Sequence, residues 1–356
     1  MIEIDGSMGE GGGQILRTAI AISALTGIKV KIFNIRAKRK PPGLKTQHLY
    51  GVKAMAEISD AEVEGLRIGS TEITFKPRRV LSGDLKVEIP TAGSIPLIIQ
   101  AIMPPLAFVS EKTKVEITGG TDVKWSPLID YMRFVFIPHV RKMGYNVEIK
   151  LIRRGHYPRG GGRIILYATP VEKLKPLVEN ERGYVKRIRG ISHCVKLPRH
   201  VSERQAKAAE KYLRKYGFTD IIIDQEWYPP EKDPHLGPGS GIVLWTETSK
   251  RAIIGADELG EKGKRAEIVG GNAAKKLIEE IECDAPVDRH LSDMLPIYMA
   301  LADGYSEIVT TGVTSHTDTI IQLLEKMLDI KFHKEMDSRG RGIISVKGLG
   351  FKNKHL

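Results

Sequence analysis

A carboxylate set among glycines, an acid-free run of arginines and lysines, and one histidine at the start of a helix could together do chemistry on phosphate. Glu10 lies in Gly9-Glu10-Gly11-Gly12-Gly13-Gln14, between an apolar N-terminal strand and a helical stretch. Glycine-rich backbone at a helix N-terminus turns N–H groups and a positive dipole end towards an anion. No Gly-Lys-Ser/Thr follows, so this is not a Walker loop, and the spacing is not a dinucleotide fingerprint. A carboxylate here could hold a metal ion beside a phosphate, and Arg17, one helical turn on, could reach the same group.

The densest basic segment is Arg36-Ala37-Lys38-Arg39-Lys40-Pro41-Pro42-Gly43-Leu44-Lys45-Thr46-Gln47-His48. Its prolines limit the entropy lost on gripping a ligand, and the arginine fork suits phosphate oxygens. His156-Tyr157-Pro158-Arg159-Gly160-Gly161-Gly162 again pairs cations with flexible backbone, whereas Gly237-Pro238-Gly239-Ser240-Gly241 reads as a turn between strands. Among ten histidines, His316 follows a strand and the loop Thr311–Ser315 and opens an amphipathic helix. A helix N-terminus disfavours a positive charge, so an imidazole there tends to stay neutral, with a nucleophilic lone pair suited to attack on phosphorus.

The elements that must position these residues recur along the chain. A strand, a glycine loop and a helix over about Gln14–Leu25 are followed by a strand (Lys29–Phe33), the basic loop, a helix over about Gln47–Ile58 and further strands. The order returns with a strand at Val87–Ile89, a helix through Leu97–Phe108, a strand at Lys114–Ile117, a long helix around Pro127–Met143 and a strand at Asn146–Leu151. A third copy begins near Leu291, with a helix to about Ala302, a strand at Glu307–Thr310, a helix carrying Ile320, Ile321, Leu323, Leu324, Met327 and Leu328 at helical spacing, and a strand with Ile330 and Phe332. Triplicated α/β units explain this order better than one doubly wound sheet. Between the second and third copies, Ser202 opens an expected capping box for a helix with Ala206, Ala209, Tyr212 and Leu213. Strands are expected at Asp220–Asp224, Gly241–Thr246 and Arg251–Gly255, and a closing helix at Ala273–Ile281. The expected divisions are 1–181 for two units, 182–280 for a small inserted α/β domain, and 281–356 for the third unit.

Composition bounds the partners. The 356 residues suffice for two or three cores, and no apolar run approaches the roughly 20 residues of a membrane span. The acids of Met1-Ile2-Glu3-Ile4-Asp5 read as a first strand and not as a signal peptide, which makes a cytoplasmic location the expectation. Cys194 and Cys283 form no metal-type spacing, and a disulfide framework is not expected. Five Asn and six Gln against abundant Lys and Glu suggest a thermophilic source. Of the net charge of +12, eight bases and no acid fall between Lys29 and Ala56, and Gly183–Ser202 is a second acid-free stretch. The two clusters point to a phosphate-rich ligand, nucleic acid first.

Asp5-Gly6-Ser7-Met8-Gly9-Glu10-Gly11-Gly12-Gly13-Gln14-Ile15-Leu16-Arg17 closely resembles the opening of RNA 3′-terminal phosphate cyclases. So do Ile35–Arg39 leading into Pro42-Gly43-Leu44 and Gln47-His48, then Gly119-Gly120-Thr121-Asp122, Tyr157–Gly162, Pro198-Arg199-His200-Val201, His290-Leu291-Ser292-Asp293, and the helix opened by His316. The resemblance runs end to end with motifs in order. It implies a large domain of three α/β units, each with two helices on a four-stranded sheet, plus a small inserted α/β domain. It also implies ATP-dependent conversion of an RNA 3′-phosphate to a 2′,3′-cyclic phosphate through adenylylated His316 and an RNA-adenylate, releasing pyrophosphate and AMP. By the same resemblance, Glu10 would support a divalent metal, Mg²⁺ or Mn²⁺. Arg17, Arg36, Arg39 and Gln47 would contact phosphates or RNA. Gln100, Pro127, His290, Leu291, Ser292, Asp293 and Met294 would bind ATP. The expected partners are ATP and RNA with a 3′-phosphate end, with no membrane and self-association left open. A noncatalytic branch of the family lacks the histidine, and enolpyruvyl transferases share the repeated architecture. Glu10, His316 and the basic segment around Arg36 and Arg39 argue against both.

Overall fold

The computed structural model describes residues 1–356, which form four sheets of four strands each. The first unit runs β1 (Ile2–Asp5), α1 (Gly13–Thr26), β2 (Val30–Phe33), α2 (Thr46–Ser59), β3 (Glu62–Glu64) and β4 (Ile73–Lys76). Its sheet order is β1-β2-β4-β3, with β1 parallel to β2 and the other pairs antiparallel. A helix must cross over between two parallel strands, whereas the antiparallel return needs only a loop. That is why each unit spends its two helices early.

The second unit repeats the plan. It runs β5 (Gly83–Glu88), α3 (Ile95–Leu106), β6 (Thr113–Gly119), a second helical stretch of α4 (Ile129–Tyr131), a π turn (Met132–Phe136) and α5 (Ile137–Lys142), then β7 (Val147–Arg153) and β8 (Gly162–Ala168), in the order β5-β6-β8-β7. The first strand of the third unit, β9 (Val178–Glu179), comes before the inserted segment and pairs in parallel with a strand far ahead of it. The inserted segment carries β10 (Val185–Val195), α6 (His200–Lys215), β11 (Ile221–Glu226), β12 (Gly239–Thr248), β13 (Gly255–Leu259) and α7 (Ala266–Glu282), with sheet order β11-β10-β12-β13. The third unit resumes with α8 (Leu291–Met294) and α9 (Pro296–Leu301), then β14 (Tyr305–Thr310), α10 (Ser315–Leu328), β15 (Phe332–Met336) and β16 (Gly342–Lys347), in the order β15-β16-β14-β9. The fold is therefore α/β with three repeated units and a small inserted α/β sheet. No helix is long and apolar enough to cross a membrane.

One core of 71 buried residues joins the three units, and a separate core of 12 lies between the inserted sheet and its helices α6 and α7. In the large core α1 packs against α3 and α10, burying Ile15, Leu16, Ala19, Ile20 and Ile22. That packing brings helices from all three units side by side, so their N-terminal loops can share one site.

Several expectations need correction. The third unit starts at β9, not near Leu291; a two-residue strand is too short to leave a period in the sequence. Ser202 does not begin a capping box. Helix α6 starts at His200 with Arg199 before it, and the buried Ser202 hydroxyl donates back to the Arg199 carbonyl at 3.0 Å. The strand expected at Arg251–Gly255 lies further on, at Gly255–Leu259, because Arg251 takes a left-handed turn conformation with φ 63°. The basic stretch in Gly183–Ser202 falls largely on β10, where Arg187 pairs with Asp220 and Arg189 faces Asp224 and Glu247. These guanidiniums are thus partly neutralised within their own sheet.

Candidate functional site

The glycine loop, the basic loop and the start of α10 meet at Glu10. Its Oε2 lies 3.2 Å from His316 Nε2 and 3.6 Å from an Arg39 guanidinium nitrogen, and its Oε1 accepts a hydrogen bond from the Ser315 hydroxyl. The loop reaches this position through turns only glycine makes easily. Gly9 has φ 50°, and a Cβ there would sit 1.9 Å from the Thr319 hydroxyl oxygen on α10. Asp5 holds the other end of the loop by accepting from the Ser7 N–H (2.9 Å), the Ser7 hydroxyl (2.7 Å) and Asn34 Nδ2 (3.2 Å). Helix α1 then begins after Gly12 with no side-chain cap and no acid in its first turn, so its N–H groups are free to meet an anion.

His316 is exposed at the second position of α10. The helix start beneath it is rigidly built. The Thr314 hydroxyl accepts from the Thr317 N–H (3.0 Å) and donates to Asp293 Oδ1 (2.6 Å), and the Thr317 hydroxyl donates to the same oxygen (2.7 Å). Ser292 and Thr317 hydroxyls lie 3.1 Å apart behind them. Asp293 is therefore an anchor between α8 and α10. Burial raises its carboxyl above the ordinary range, opposed by the hydrogen bonds from Thr314 and Thr317 and the nearby His316 and His290. We predict that Asp293→Ala, which strands two hydroxyls, costs about 2 kcal/mol. Faster amide exchange confined first to the opening turn of α10 is the accompanying check.

The basic loop divides into structural and exposed cations. Arg36 is buried, with a left-handed backbone (φ 55°), and its guanidinium donates to the carbonyls of Pro41 (3.0 Å) and Gly43 (2.8 Å). It fixes the loop's shape. Lys38 reaches the Gly9 carbonyl at 2.8 Å and Arg39 reaches Glu10, so both cations stand over the glycine loop. Gln47 sits in the first turn of α2, with its amide unengaged. Next to it the Lys45 N–H donates to His48 Nδ1 at 3.2 Å, and the His48 ring packs against Gly13, whose place a Cβ would contest at 2.4 Å. Burial, aided by Arg17, Arg36 and Lys45, pushes His48 down to about 3. The unfolded chain takes up a proton here below pH about 6.5 that the folded chain refuses until about pH 3. Stability at this residue is therefore intact above that window and falls with pH inside it, by at most about 1.4 kcal/mol per pH unit. Urea titrations at pH 6.5 and pH 5 should show a smaller acid loss, by up to about 2 kcal/mol, in His48→Gln.

A second group of expected residues lines a small cavity of about 30 Å³ beneath the glycine loop. Gln14, Arg17, Gln100, Asp293, Met294 and Tyr298 share its wall. Arg17 is half-buried, and desolvation lowers its guanidinium to about 10. It makes no ion pair within the protein, which leaves its charge available to a phosphate. Gln100 Nε2 donates to Met294 Sδ at 3.1 Å, joining α3 to α8. Ser292 is buried and Leu291 lies wholly within the core, so both stand behind the surface. His290 is exposed, its ring edge-on to Tyr131 at 6.0 Å between centroids. Pro127 is half-buried, between Ser126, whose hydroxyl lies 2.5 Å from that of Ser94, and Leu128, whose N–H donates to Asp257 Oδ2 at 2.8 Å. It therefore sits at the seam between the second unit and the inserted sheet.

Sequence reasoning missed four residues that build this site. Thr314 and Ser315 orient the helix start, and Lys38 ties the two loops together. Asp288 is wholly buried; its Oδ1 accepts from the His290 and Leu291 N–H groups (3.0 Å each) and from the Tyr131 hydroxyl (2.6 Å), which opens α8. An aspartate three residues before a short apolar helix was a readable capping signal.

The same chain matches a family model described as RNA 3′-terminal phosphate cyclase over residues 8–334. It is similar to proteins named RNA 3′-terminal phosphate cyclase from three archaea. With the one from Ignicoccus hospitalis it shares 54% identity over 328 residues, covering 92% of this chain and 93% of that one. For Pyrobaculum aerophilum the identity is 50% over 351 residues (98% and 99%), and for Methanopyrus kandleri 51% over 330 residues (93% and 94%).

Proposed function

The chain belongs to the RNA 3′-terminal phosphate cyclase family, and from that premise we propose that it converts an RNA 3′-phosphate to a 2′,3′-cyclic phosphate, with ATP consumed through an adenylylated His316. It is an ATP-dependent enzyme of the ligase type. The observation that carries the histidine assignment is the convergence at Glu10: a carboxylate from the first unit and an exposed imidazole from the third stand 3.2 Å apart, under cations of the basic loop.

Three steps follow, each balanced. A lone pair on the His316 imidazole forms a bond to the α-phosphorus of ATP, and the bond from that phosphorus to the bridging oxygen breaks, releasing pyrophosphate. An oxygen of the RNA 3′-phosphate then takes the adenylyl group, the P–N bond breaks, and the imidazole is restored. Finally the neighbouring 2′-oxygen bonds to the activated phosphorus as its proton passes to water, and the bond from that phosphorus to the bridging oxygen breaks, releasing AMP. The last step is intramolecular, and proximity of that kind is worth roughly 7–11 kcal/mol at best. The enzyme's remaining task is to hold charge and geometry.

Glu10 Oε2, 3.2 Å from Nε2, would orient the ring and stabilise the positive charge that develops on it. Arg39 and Lys38 lie at the glycine loop and Arg17 lines the adjoining cavity, and all three would neutralise phosphate oxygens, joined by the free N–H groups of α1. Gln100, Met294 and Asp293 would bound the nucleotide at the small cavity, with His290 and Pro127 at its outer edge. The cavity is small, about 30 Å³, so a nucleotide would extend beyond it across its mouth. The carboxylate of Glu10 and the hydroxyl of Ser315 are oxygen donors of the kind Mg²⁺ and Mn²⁺ prefer, so the residues present fit a divalent ion. When bound, such an ion would supply charge neutralisation at the ATP phosphates.

The exposed lysines and arginines of the basic loop suit a polyanion, the family points to RNA, and a cytoplasmic place of action is part of the same reading. The test incubates the full chain with ATP labelled at the α-phosphate and Mg²⁺ or Mn²⁺, then asks whether label survives denaturation of the protein. An acid-labile, alkali-stable adduct is expected, as a histidine phosphoramidate requires. No adduct with either metal would sink the covalent mechanism and leave a noncatalytic RNA-binding protein.

A further inference from the structure

Apart from the site above, one cluster of metal-ligating side chains lies wholly inside the molecule. Asp122 follows β6, His156 precedes β8, and His193 sits on β10, so the first two belong to the second unit and the third to the inserted sheet. All three are buried, and their donor atoms lie within 4.8 Å of one another. His156 Nε2 and His193 Nε2 are 3.2 Å apart, and they stand 4.0 and 3.9 Å from Asp122 Oδ2. Donors held at 2.0–2.1 Å around a tetrahedral ion are about 3.3 Å apart, so the two imidazoles already have that spacing and the Asp122 oxygen would close on them by roughly 0.6–0.7 Å to seat one.

We propose that Asp122 Oδ2, His156 Nε2 and His193 Nε2 bind one divalent ion of the Zn²⁺ class, which fastens the inserted sheet to the second unit. The two rings engage the protein only through the nitrogens that face the cluster; neither Nδ1 has a partner. Charge favours a cation as well. Arg154 donates to Asp122, Asp130 and Glu226, one guanidinium against three carboxylates, with Arg133 reaching only Asp130 from the edge. The excess is negative, in a place where an unbalanced charge is costly. A further imidazole is at hand. His235 is buried, its Nδ1 sits 2.7 Å from Asp233 Oδ1, and its Nε2 has no partner. A carboxylate on the far nitrogen is the arrangement that orients metal-binding histidines. Two imidazoles with a carboxylate suit Zn²⁺, whereas Mg²⁺ prefers oxygen donors throughout.

The test strips the full-length protein with chelator and returns one equivalent of Co²⁺, whose visible absorption reports tetrahedral nitrogen and oxygen ligands. The native protein is expected to retain one equivalent through dialysis, to show those bands, and to lose them to Zn²⁺. Its melting temperature should rise on loading, since the ion binds only the folded chain. Glu10→Ala should keep the bands, because the ion is not at the Glu10–His316 site. His193→Asn and Asp122→Asn should each lower affinity more than tenfold. Failure of the native protein to retain either metal overturns the proposal whatever the variants do, and so does loss of the bands in Glu10→Ala. Neither result depends on the cyclase reading, which the ATP label tests by itself.

Discussion

Replacing His316 with alanine is expected to abolish adenylylation and cyclisation while leaving the fold intact. The side chain is 46% exposed and its one protein partner is Glu10, so its removal opens no cavity. Surface changes of that kind usually fall within about 0.5 kcal/mol. The first turn of α10 keeps its shape because Thr314, Thr317 and Asp293 hold it without the imidazole. Activity is another matter. On the proposed mechanism, the variant keeps cations that can bind phosphate but has nothing to which the adenylyl group can be passed. A loss of roughly 10⁴-fold or more is the usual scale for such a residue. The check is two measurements on one preparation: thermal unfolding, which should superimpose on the native curve, and labelling with α-labelled ATP, which should vanish. A folded variant that still takes label would assign the nucleophile elsewhere. Supplying RNA whose 3′-phosphate is already adenylylated sharpens the test, since the final ring closure does not use the histidine and should survive.

Much of that site was legible in the sequence for a physical reason. Glu10, Arg39 and His316 all sit where a strand or loop hands over to a helix, and such junctions leave strong local marks: glycines for tight turns, then an apolar period of about 3.6. Helices α1, α2, α3 and α10 were readable within a residue or two for the same reason. What the sequence could not display is register between distant segments. The pairing of β9 with β14 spans the inserted sheet. The 11-residue β10 was missed altogether because its charged residues Lys186, Arg187 and Arg189 mask the alternation of a half-buried strand. Arg36 illustrates a subtler limit. Its type and neighbours suggest a phosphate ligand, yet its guanidinium folds back onto Pro41 and Gly43, a direction set by its left-handed backbone. Nor could composition single out Arg154 among many arginines, although the structure gives it a place no other cation has.

Arg154→Leu is expected to be the most destabilising single change at the joint between the second unit and the inserted sheet. Arg154 is 1% exposed and lies 2.5 Å from Asp130, 2.6 Å from Glu226 and 3.3 Å from Asp122. Burial works against its charge, but the three carboxylates outweigh that and hold the guanidinium firmly ionised. Leucine fills much of the volume, so the cost is electrostatic: Asp122 and Asp130, both wholly buried, lose their shared counter-charge in a medium that cannot solvate them. Removing one partner of a buried ion pair typically costs 3–5 kcal/mol, or roughly 5 °C in melting temperature for a chain of this length. The measurement is made in chelator, so that an ion at Asp122 does not mask the result. Its sign with pH separates this account from a packing defect. Protonation of the orphaned carboxylates relieves the penalty, so the gap between variant and native protein should narrow as pH falls from 7 towards 5, whereas a cavity would cost the same at both. The damage should also be local at first. Because Glu226 closes β11, Asp130 lies in α4 and Asp122 accepts from the Ile129 N–H that opens it, amide exchange should rise along β10–β11 and at the entry to α4. The core shared by α1, α3 and α10 should stay protected, and with it the geometry that holds Glu10 against His316.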